Sequence, residues 1–400
     1  MDLDAIREEI PGIDAVIYLN TGGFGLMPRV ATQEIQDAYA ALGPSIDPTS
    51  WYREAWRRAE ALREQIARFV GAAADEIAFK NSVSDGYGSV LWGLDWREGD
   101  EVLVTREEHN SPRLAVELAA QRFGLKVRGI PVCHGVDAFL EEFRKALGPR
   151  TRLVAMSHVT TDSGTRLPAE RICQLAHEAG ALVLLDGAQS LGQFPLDLRA
   201  MGCDFYACMG YKWALGPLGT GFLYARREAQ GALHPIIGAS GVRWLSLPDG
   251  RFEETGTARR FEFAPRAWPE YFALGRSLEF VDRIGIARIQ EHTGRLVGRL
   301  RGQLAEIEGV EIYTPEKPEE CTGIVAFGVE GTAPRELSGA LRERWRIAQR
   351  AAMMVGKVGG IRVSVAVYTT ADELDLLVQA VREVARNGHG ASAGADPKSS

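Results

Sequence analysis

The chain has 400 residues, 46% hydrophobic and 25% charged, an ordinary globular composition that can bury a large core and support a second domain. Its net charge of −7 and pI near 5.7 argue against a basic surface for nucleic acid or an anionic membrane. The five cysteines show no paired spacing, the N-terminus does not resemble a signal peptide, and no apolar run approaches the roughly 20 residues that span a bilayer. We therefore expect a cytoplasmic protein with reduced thiols and no membrane, nucleic-acid or metal partner.

Short apolar runs alternate with helical patterns along the first half of the chain. The runs that predict β-strands are EIAFK (76–80), EVLVT (101–105), KVRGIPV (126–132), RLVAMSHV (152–159), ALVLLD (181–186), DFYAC (204–208) and GFLYA (221–225). Between them lie amphipathic stretches such as PAERICQLAHEAG, which starts at Pro168, a favoured first-turn residue, and stops at Gly180. This alternation indicates an α/β fold, with a doubly wound, mostly parallel seven-stranded sheet and helices on both faces.

The pattern changes after about residue 265. Residues 267–307 predict one or two long helices, and strands and helices then alternate in a smaller C-terminal α+β unit. The last residues, 388–400, are small and polar, which is typical of a disordered tail.

The stretch CMGYKWALGPLGTGF (208–222) places a single lysine, Lys212, among glycines, aromatics and aliphatic residues. Lysine side chains are mostly solvated, and an ammonium buried without a partner is costly. Lys212 is therefore either a loop-tip lysine with its head in water, or a buried lysine whose lowered pKa suits a nucleophile or a Schiff base. The motif alone leaves both alternatives open.

Asp186 ends the predicted strand 181–186, and Gln189 follows one turn later. Asp186 is either a helix N-cap or a carboxylate at the carboxyl end of a parallel sheet, where such folds bind ligands. Lys212 comes 26 residues after Asp186, which is enough to reach the end of a neighbouring strand. A lysine, a carboxylate and an amide at one sheet edge suit pyridoxal phosphate, which needs a lysine for its aldehyde and an acid for its pyridine nitrogen.

Three further loops follow predicted strands at the same edge. KNSVSDGYGSVLWGL (80–94) turns into a helix whose N-terminus offers N–H groups and a positive dipole end to a phosphate, although Ser and Asp also cap ordinary helices. EEHNSPR brings His109 to this edge, and SHVTTDSGTRLP brings Asp162. A lone histidine is more often structural than functional, so His109 is a weaker candidate on its own.

The segment from Asp186 to Glu228, DGAQSLGQFPLDLRAMGCDFYACMGYKWALGPLGTGFLYARRE, resembles the cofactor segment of the class V aminotransferase family. These fold-type I pyridoxal-phosphate enzymes include cysteine desulfurases, isopenicillin N epimerase, kynureninase and cystine lyases. The resemblance runs from YLNTGGFGLMP (18–28) to IRVSVAVYTTADELDLL (361–377), nearly the whole chain. The stretches NTGGFGLMP, VLWGLDWREGDEVLVT and RRFEFAPRAWPEYFALGRSLEF are most similar to the L-cysteine/cystine C-S lyases.

The resemblance implies how the cofactor's ring is held. Lys212 would form the Schiff base, Asp186 would pair with the pyridinium nitrogen, and Gln189 would hydrogen-bond the phenolic oxygen. His109 would stack on the ring face, and Lys212 and His109 are the expected catalytic residues. The expected cofactor is pyridoxal 5′-phosphate, and the expected partner is an amino-acid substrate.

The resemblance also implies residues for the phosphate and for the substrate. The phosphate would be held by Val83, Ser84 and Tyr211. The substrate would be held by Arg362, which grips the α-carboxylate in a bidentate fork, by Arg350 as a second arginine, and by Asn20, Gly22 and Gly23.

Three departures from the family pattern stand out. The stretch RIAQRAAMMVGKVGGIR (346–362) has no cysteine where desulfurases carry their nucleophile. Asp162, expected beside the cofactor, stands where the family usually has Asn, which would alter the electronics of the ring if it faces it. Ala264-Pro265 stands where members of the family have a Gly-Thr or Ala-Thr pair, whose threonine commonly contacts the cofactor phosphate of the partner subunit. The resemblance therefore leaves open whether this chain makes that contact between subunits.

The implied organisation has four parts: an N-terminal segment at the active site (1–28), a pyridoxal-phosphate-binding large domain (29–265), a small C-terminal domain (266–387) and the tail (388–400). The expected reaction is α,β-elimination on a cysteine- or cystine-like substrate in a homodimeric enzyme. Transamination and epimerisation share the first half of that chemistry and stay open as alternatives. Desulfuration is less favoured because the loop cysteine is missing, and a non-catalytic scaffold is disfavoured because Lys212, Asp186 and Gln189 are all present.

Overall fold

A computed structural model describes residues 1–42, 48–132, 135–238, 242–246, 248–352 and 359–392. The helices are α1 (Leu3–Glu8), α2 (Arg29–Leu42), α3 (Pro48–Phe69), α4 (Val83–Gly93), α5 (Asn110–Phe123), α6 (Val136–Ala146), α7 (Ala169–Glu178), α8 (Leu198–Met201), α9 (Trp268–Ile284), α10 (Ile286–Ala305), α11 (Pro334–Trp345) and α12 (Ala371–Ser392). None of these described helices is both long and apolar enough to cross a membrane.

The strands alternate with these helices along the chain. They are β1 (Ile17–Tyr18), β2 (Ile77–Phe79), β3 (Glu101–Thr105), β4 (Lys126–Ile130), β5 (Thr151–Ser157), β6 (Leu182–Asp186), β7 (Phe205–Met209), β8 (Gly221–Ala225), β9 (Val242–Ser246), β10 (Arg251–Glu254), β11 (Val310–Ile312), β12 (Ile324–Val329), β13 (Ile347–Ala348), β14 (Arg350–Ala352) and β15 (Gly360–Ser364).

The large sheet has seven strands in the order β2-β8-β7-β6-β5-β3-β4. The strands from β7 to β4 run parallel to one another, and β8 runs antiparallel to both of its neighbours. Successive residues of β6 pack in two different hydrophobic clusters. Val183 and Leu185 belong to one cluster, and Leu184, which points to the opposite face of the sheet, belongs to the other. Both faces are therefore covered, and the predicted doubly wound, mostly parallel seven-stranded sheet is confirmed.

The seven predicted strands all form, with small shifts at their ends. The largest end shifts are of two residues. Strand β5 ends at Ser157 rather than residue 159, and β4 ends at Ile130 rather than residue 132, because Pro131 has no N–H to donate to a ladder. The long helical region after residue 265 forms two helices, α9 and α10, which meet at Gly285 with a φ of 94°.

A smaller antiparallel sheet, in the order β11-β12-β15-β14, forms with α10, α11 and α12 a separate apolar cluster. The N-terminal segment joins this part of the molecule, because β1 pairs in parallel with β13 and Leu19 O accepts the N–H of Ser364 at 2.9 Å. Helix α9 instead packs against α2 and α3 beside the large sheet. The boundary at residue 266 remains a prediction.

The predicted tail from residue 388 is partly helical, because α12 continues to Ser392. The two glycines in this stretch, Gly388 and Gly390, each cost a helix only about 1 kcal/mol, and proline comes later, at Pro397. The rest of the predicted tail, 393–400, lies outside the described residues.

Candidate active site

A cavity of about 410 Å³ opens where β3, β5, β6 and β7 end and where α4 begins. Most of the residues singled out in the sequence lie on its wall. The lining residues are Asn20, Gly22, Gly23, Phe24, Ser82, Val83, Ser84, His109, Ser111, Pro112, Ser157, Val159, Thr161, Asp186, Ala188, Gln189, Met209, Tyr211, Lys212 and Arg350.

Lys212 lies in the turn after β7 and is buried, with only 8% of its surface exposed. The N-terminal segment covers this turn closely: the Gly25 N–H donates to Tyr211 O at 2.8 Å, and a Cβ on Gly25 would come within 1.9 Å of Lys212 O. Burial lowers the pKa of Lys212 to about 8. The negative charge of Asp186 raises this pKa, and the positive charges of Arg362 and Arg350 lower it. The alternative of a solvated loop-tip lysine is therefore wrong.

Asp186 is buried at the end of β6, and its carboxylate accepts the N–H of Ala188 at 2.7 Å. Burial raises the pKa of Asp186, while that N–H and the charge of Lys212 lower it. The residues that follow Asp186 form a turn rather than a helix, so its carboxylate is not a helix N-cap. It is available to a basic group in the cavity.

Gln189 is fixed by three hydrogen bonds. Its Oε1 accepts the indole N–H of Trp213 at 2.7 Å, and its Nε2 donates to Gly22 O at 3.0 Å and to Thr161 Oγ1 at 3.2 Å. The carboxamide thus links the Lys212 loop, the N-terminal segment and the loop after β5. Trp213 and Thr161 were not singled out in the sequence, although each is adjacent to a predicted site residue.

His109 precedes α5 as its N-cap, and its Nδ1 accepts the Ser111 N–H at 3.2 Å. Burial lowers the pKa of His109 to about 4, and the charges of Lys212, Arg350 and Arg362 act in the same direction. The imidazole is therefore neutral near pH 7, with a flat, uncharged face in the cavity wall.

The start of α4 forms another wall of the cavity. Val83 and Ser84 both line it, as does Ser82, whose Oγ accepts the Asp85 N–H at 3.3 Å. This helix N-terminus favours an anion. Tyr211 is also in the wall, with its ring 5.7 Å from that of Phe24.

The two arginines expected to bind substrate face each other in the β14–β15 register. Arg362 is fully buried; it donates to Thr161 O at 2.9 Å and to Asn20 Oδ1 at 3.4 Å, and its Nε has no hydrogen-bond partner among the described residues. Arg350 is exposed and lines the cavity. Arg362 lies just behind the lining residues, beside Gly22, where a Cβ would approach its guanidinium carbon to 3.4 Å.

Asp162 is not in the cavity wall. It is half-buried in the turn after β5, and its Oδ1 has no hydrogen-bond partner in the part of the chain that the structure describes. Burial raises the pKa of Asp162, opposed by Arg350 and Arg362. Asp162 therefore adds its charge to the arginine pair, and its contact with the cofactor stays a prediction.

Two acidic or phenolic groups under the cavity were also missed in the sequence. Glu108 binds Ser157, a residue of the wall, and Tyr87 is buried in α4. No sequence signal separates them from ordinary structural residues, because only tertiary contacts bring them beneath the cavity.

Four of the five cysteines lie in the described residues, and Cys133 lies outside them. Cys173, Cys203 and Cys208 are buried, and Cys321 is half-buried. The Cys208 thiol donates to Gly187 O at 3.3 Å, and burial raises its pKa. No group of three or more potential metal ligands occurs among the described residues. The partner-subunit contact at Ala264-Pro265 stays a prediction.

Comparison with known proteins shows the family. The model of the family "Aminotransferase class-V" matches residues 17–377. A probable cysteine desulfurase of Methanothermobacter thermautotrophicus is 32% identical, over 97% of this chain and 99% of that one. An isopenicillin N epimerase of Amycolatopsis lactamdurans is 31% identical, over 95% and 98%.

A solved structure of the cystine C-S lyase C-DES, in complex with its product cysteine persulfide, is also similar. It superposes with a TM-score of 0.85 at 30% identity, over 94% of this chain and 99% of that one. A mutant of the same lyase has glycine covalently linked to its pyridoxal-phosphate cofactor.

Fold and site together define a pyridoxal-phosphate enzyme, and the cofactor expected from the sequence is confirmed. The chain belongs to the class V aminotransferase family. The residues fit this cofactor, since the cavity offers a lysine of lowered pKa, a buried carboxylate and a helix N-terminus.

Proposed function

We propose that this protein is a pyridoxal-phosphate-dependent lyase that carries out α,β-elimination on a cysteine- or cystine-type amino acid. Relatives named as cysteine desulfurases and a structural neighbour named as a cystine C-S lyase support the sulfur-containing substrate. The observation that carries the choice of a lyase is the absence of cysteine from residues 346–362, together with a buried lysine at the reaction centre.

In this proposal Asp186 would hold a proton on the cofactor's ring nitrogen, Gln189 would position the phenolic oxygen, and His109 would cover the ring. Val83 and Ser84 at the N-terminus of α4, together with Tyr211, would hold the cofactor's phosphate. The bound cofactor withdraws electrons from the substrate's Cα. Lys212, which lines the cavity and is buried, would be the base that takes the α-proton.

Lys212 is suited to that proton transfer by its pKa of about 8, because about a tenth of the amine is neutral near pH 7, far more than for an ordinary lysine. The α-proton passes to Lys212 Nζ, the Cβ–S bond breaks, and sulfur leaves with the bonding pair. Water then hydrolyses the remaining unsaturated amine to a keto acid and ammonia. Lys212 needs no protein thiol for any of these steps.

Arg362 would bind the substrate's α-carboxylate through its unpartnered Nε and the neighbouring N–H groups. Thr161 and Asn20 hold the guanidinium in place, so its direction is set before substrate arrives. Gly22 and Gly23 leave room beside it. Arg350, exposed at the opening, would contact the distal part of the substrate.

A desulfurase needs a thiolate that can reach the substrate's sulfur. The described cysteines do not supply one: burial raises the thiol pKa of each of them, which are Cys173, Cys203, Cys208 and Cys321. Residues 353–358 lie outside the described part of the chain, but their sequence, MMVGKV, has no cysteine. Elimination is therefore the better supported reaction.

The products test the proposal directly. Purified protein with bound cofactor is incubated with cystine or cysteine, and the keto acid, ammonia and alanine are measured. Elimination gives pyruvate and ammonia in equal amounts. Alanine in place of pyruvate would indicate a desulfurase, a racemised amino acid without ammonia would indicate an epimerase, and a requirement for an added keto acid would indicate an aminotransferase.

A homodimer, which the resemblance to the family implies, is part of this proposal, as is the cytoplasmic location expected from the sequence. Light scattering of the purified protein tests it, since a homodimer has twice the chain mass of 43.7 kDa. A monomer with full activity would contradict it.

A further inference from the structure

A carboxylate that the proposed mechanism does not use lies beneath the cavity, next to residues of its wall. Glu108 lies between β3 and His109 and is partly buried. Its carboxylate accepts hydrogen bonds from Thr105 Oγ1 at 2.6 Å, from Ser157 Oγ at 2.6 Å and from the Ser157 N–H at 3.0 Å. These donors join the end of β3 to the end of β5.

Glu108 is also close to Asp186. Ser157, which binds Glu108, is the cross-strand neighbour of Asp186 in the β5–β6 register. Burial raises the pKa of Glu108 to about 7, the bonds from Ser157 and Thr105 lower it, and the negative charge of Asp186 raises it again. The repulsion between these two carboxylates is mutual.

A third acidic group lies at the same place. Tyr87 of α4 is buried, and its hydroxyl has no hydrogen-bond partner among the described residues. Burial raises the pKa of Tyr87 well above its usual value, and the charges of Asp186 and Glu108 contribute. Three acidic groups therefore meet beneath the cavity, and Glu108 forms no ion pair with any described residue.

A positive charge in the cavity beside the carboxylates would relieve the repulsion between them. The cofactor offers one when its ring nitrogen carries a proton, and Asp186 is the proposed partner of that nitrogen. We propose that Glu108 is a positioning residue for the cofactor, whose carboxylate adds negative charge behind Asp186 and so favours binding of the ring in its protonated form. This inference rests on the proposed role of Asp186.

The hydrogen bonds of Glu108 allow a purely structural role, because they tie β3 to β5 and so help to place His109. An effect of the Glu108 charge on the cofactor and a purely structural effect of its hydrogen bonds can be told apart by one difference. Only a charge role depends on whether the bound ring has a basic nitrogen. The test therefore compares pyridoxal 5′-phosphate with 1-deazapyridoxal 5′-phosphate, in which a C–H group replaces the ring nitrogen.

Cofactor-free protein and its variants are titrated with each compound, and the dissociation constants are measured by equilibrium dialysis. We expect Glu108→Gln to weaken binding of pyridoxal phosphate about tenfold, the equivalent of one pKa unit, and to change binding of the deaza compound less than about twofold. Glu108→Asp, which retains the charge, should keep the wild-type preference between the two. Equal losses for both compounds in Glu108→Gln, or no loss for either, would overturn the proposal.

Glu107→Gln is the matched control, because Glu107 is the adjacent carboxylate and accepts a bond from Ser163 Oγ at 2.8 Å that a glutamine oxygen can also accept. Both dissociation constants should stay unchanged. If Glu108→Gln does not fold, the test uses Glu108→Asp. This variant keeps the negative charge, so the proposal is overturned if it no longer binds pyridoxal phosphate in preference to the deaza compound as the wild type does. Asp186→Asn is measured in parallel. If its preference for pyridoxal phosphate over the deaza compound equals that of the wild type, the proposed role of Asp186 is contradicted, whatever the result for Glu108.

Discussion

The buried and the exposed charged groups of the candidate site are held in different ways. We call the buried groups Lys212, Asp186 and Arg362 its closed end, and the exposed Arg350 its open end. Arg362 and Arg350 are opposite one another in neighbouring strands, yet Arg362 is fully buried and held by Thr161 and Asn20, whereas Arg350 is exposed. Groups at the closed end are fixed before any ligand arrives, which reduces the cost of ordering them during the reaction. A side chain at the open end can adapt to the part of the substrate that differs between amino acids.

The largest effect is expected at the centre of the closed end, for Lys212→Ala. Removing the amine removes both the covalent link to the cofactor and the proton acceptor, so we expect keto-acid release to fall by at least about 10⁴-fold. Borohydride should no longer fix cofactor to the variant. Lys145→Ala, which removes an exposed lysine on α6, is the control and should keep full activity. A borohydride-reducible adduct in Lys212→Ala would contradict the assignment.

Asp186→Ala should come next, with activity reduced on the order of 10²–10³-fold and cofactor lost on dialysis, because the ring nitrogen loses its counter-charge. Asp197→Ala is the matched control. Asp197 caps α8 through the Ala200 N–H at 2.9 Å, so its loss should cost about 1 kcal/mol of stability and leave the cofactor bound. Near-normal turnover in Asp186→Ala would show that its role is confined to the turn.

The arginine pair tests the difference between the two ends directly. Arg362→Lys keeps the positive charge but loses the two parallel N–H groups that bind a carboxylate. It should raise KM and lower kcat, so that kcat/KM falls about 100-fold, because a small misplacement of the reacting bond slows the reaction strongly. Arg350→Lys should raise KM only a few-fold and leave kcat unchanged. Equal effects of the two substitutions on kcat would mean that orientation is not set at the closed end alone.

The pKa of Lys212 predicts how cofactor-free protein takes up pyridoxal phosphate. Only the neutral amine attacks the aldehyde, and below pH 8 the neutral fraction falls about tenfold per pH unit. The capture rate should therefore rise with pH and level off above about 8. The same rate is measured for a free lysine whose α-amino group is blocked, and this reference corrects for the ionisation of the cofactor itself. A midpoint near 10.5 would indicate an unperturbed lysine.

The smallest effect is expected from the thiols. A variant with all five cysteines replaced by serine or alanine should keep its turnover within about twofold if it folds, because elimination uses no protein thiol. Circular dichroism and cofactor content establish folding. A folded, cofactor-loaded variant without activity, with Cys208→Ala alone reproducing the loss, would favour a thiol-dependent reaction instead.

The parts of the site carried by strand ends could be predicted from the sequence. Asp186 ends one apolar run that predicts a strand and Lys212 follows another, and the carboxyl ends of parallel strands meet at one edge. The residues alone left the roles of both open, and the resemblance to the family supplied them. Glu108 and Trp213 could not be assigned in this way. Their contacts join segments tens of residues apart, such as Glu108 with Ser157 and Trp213 with Gln189.

The small elements were also beyond the sequence. Strand β1 has two residues and exists only because β13 pairs with it, and β9 and β10 form a separate hairpin that no alternation pattern indicates. Asp162 shows a different limit. Its position in an edge loop predicts a place beside the cofactor, and that contact stays a prediction, because the structure shows only that Asp162 is half-buried and that burial raises its pKa while the charges of Arg350 and Arg362 lower it. Side-chain direction in a turn depends on local dihedrals that composition does not reveal.

The N-terminal segment has a consequence for the order in which the protein is made. Residues 19–25 pass over the Lys212 loop, yet Leu19 is held by Ala348 and Ser364, which are synthesised more than 300 residues later. A nascent chain that has completed the whole large sheet already has Tyr211 and Gln189, which bind Gly25 and Gly22, but it still lacks Ala348 and Ser364, which bind Leu19. The pocket therefore closes only near the end of translation, and a ribosome-bound chain truncated before residue 347 should not retain cofactor.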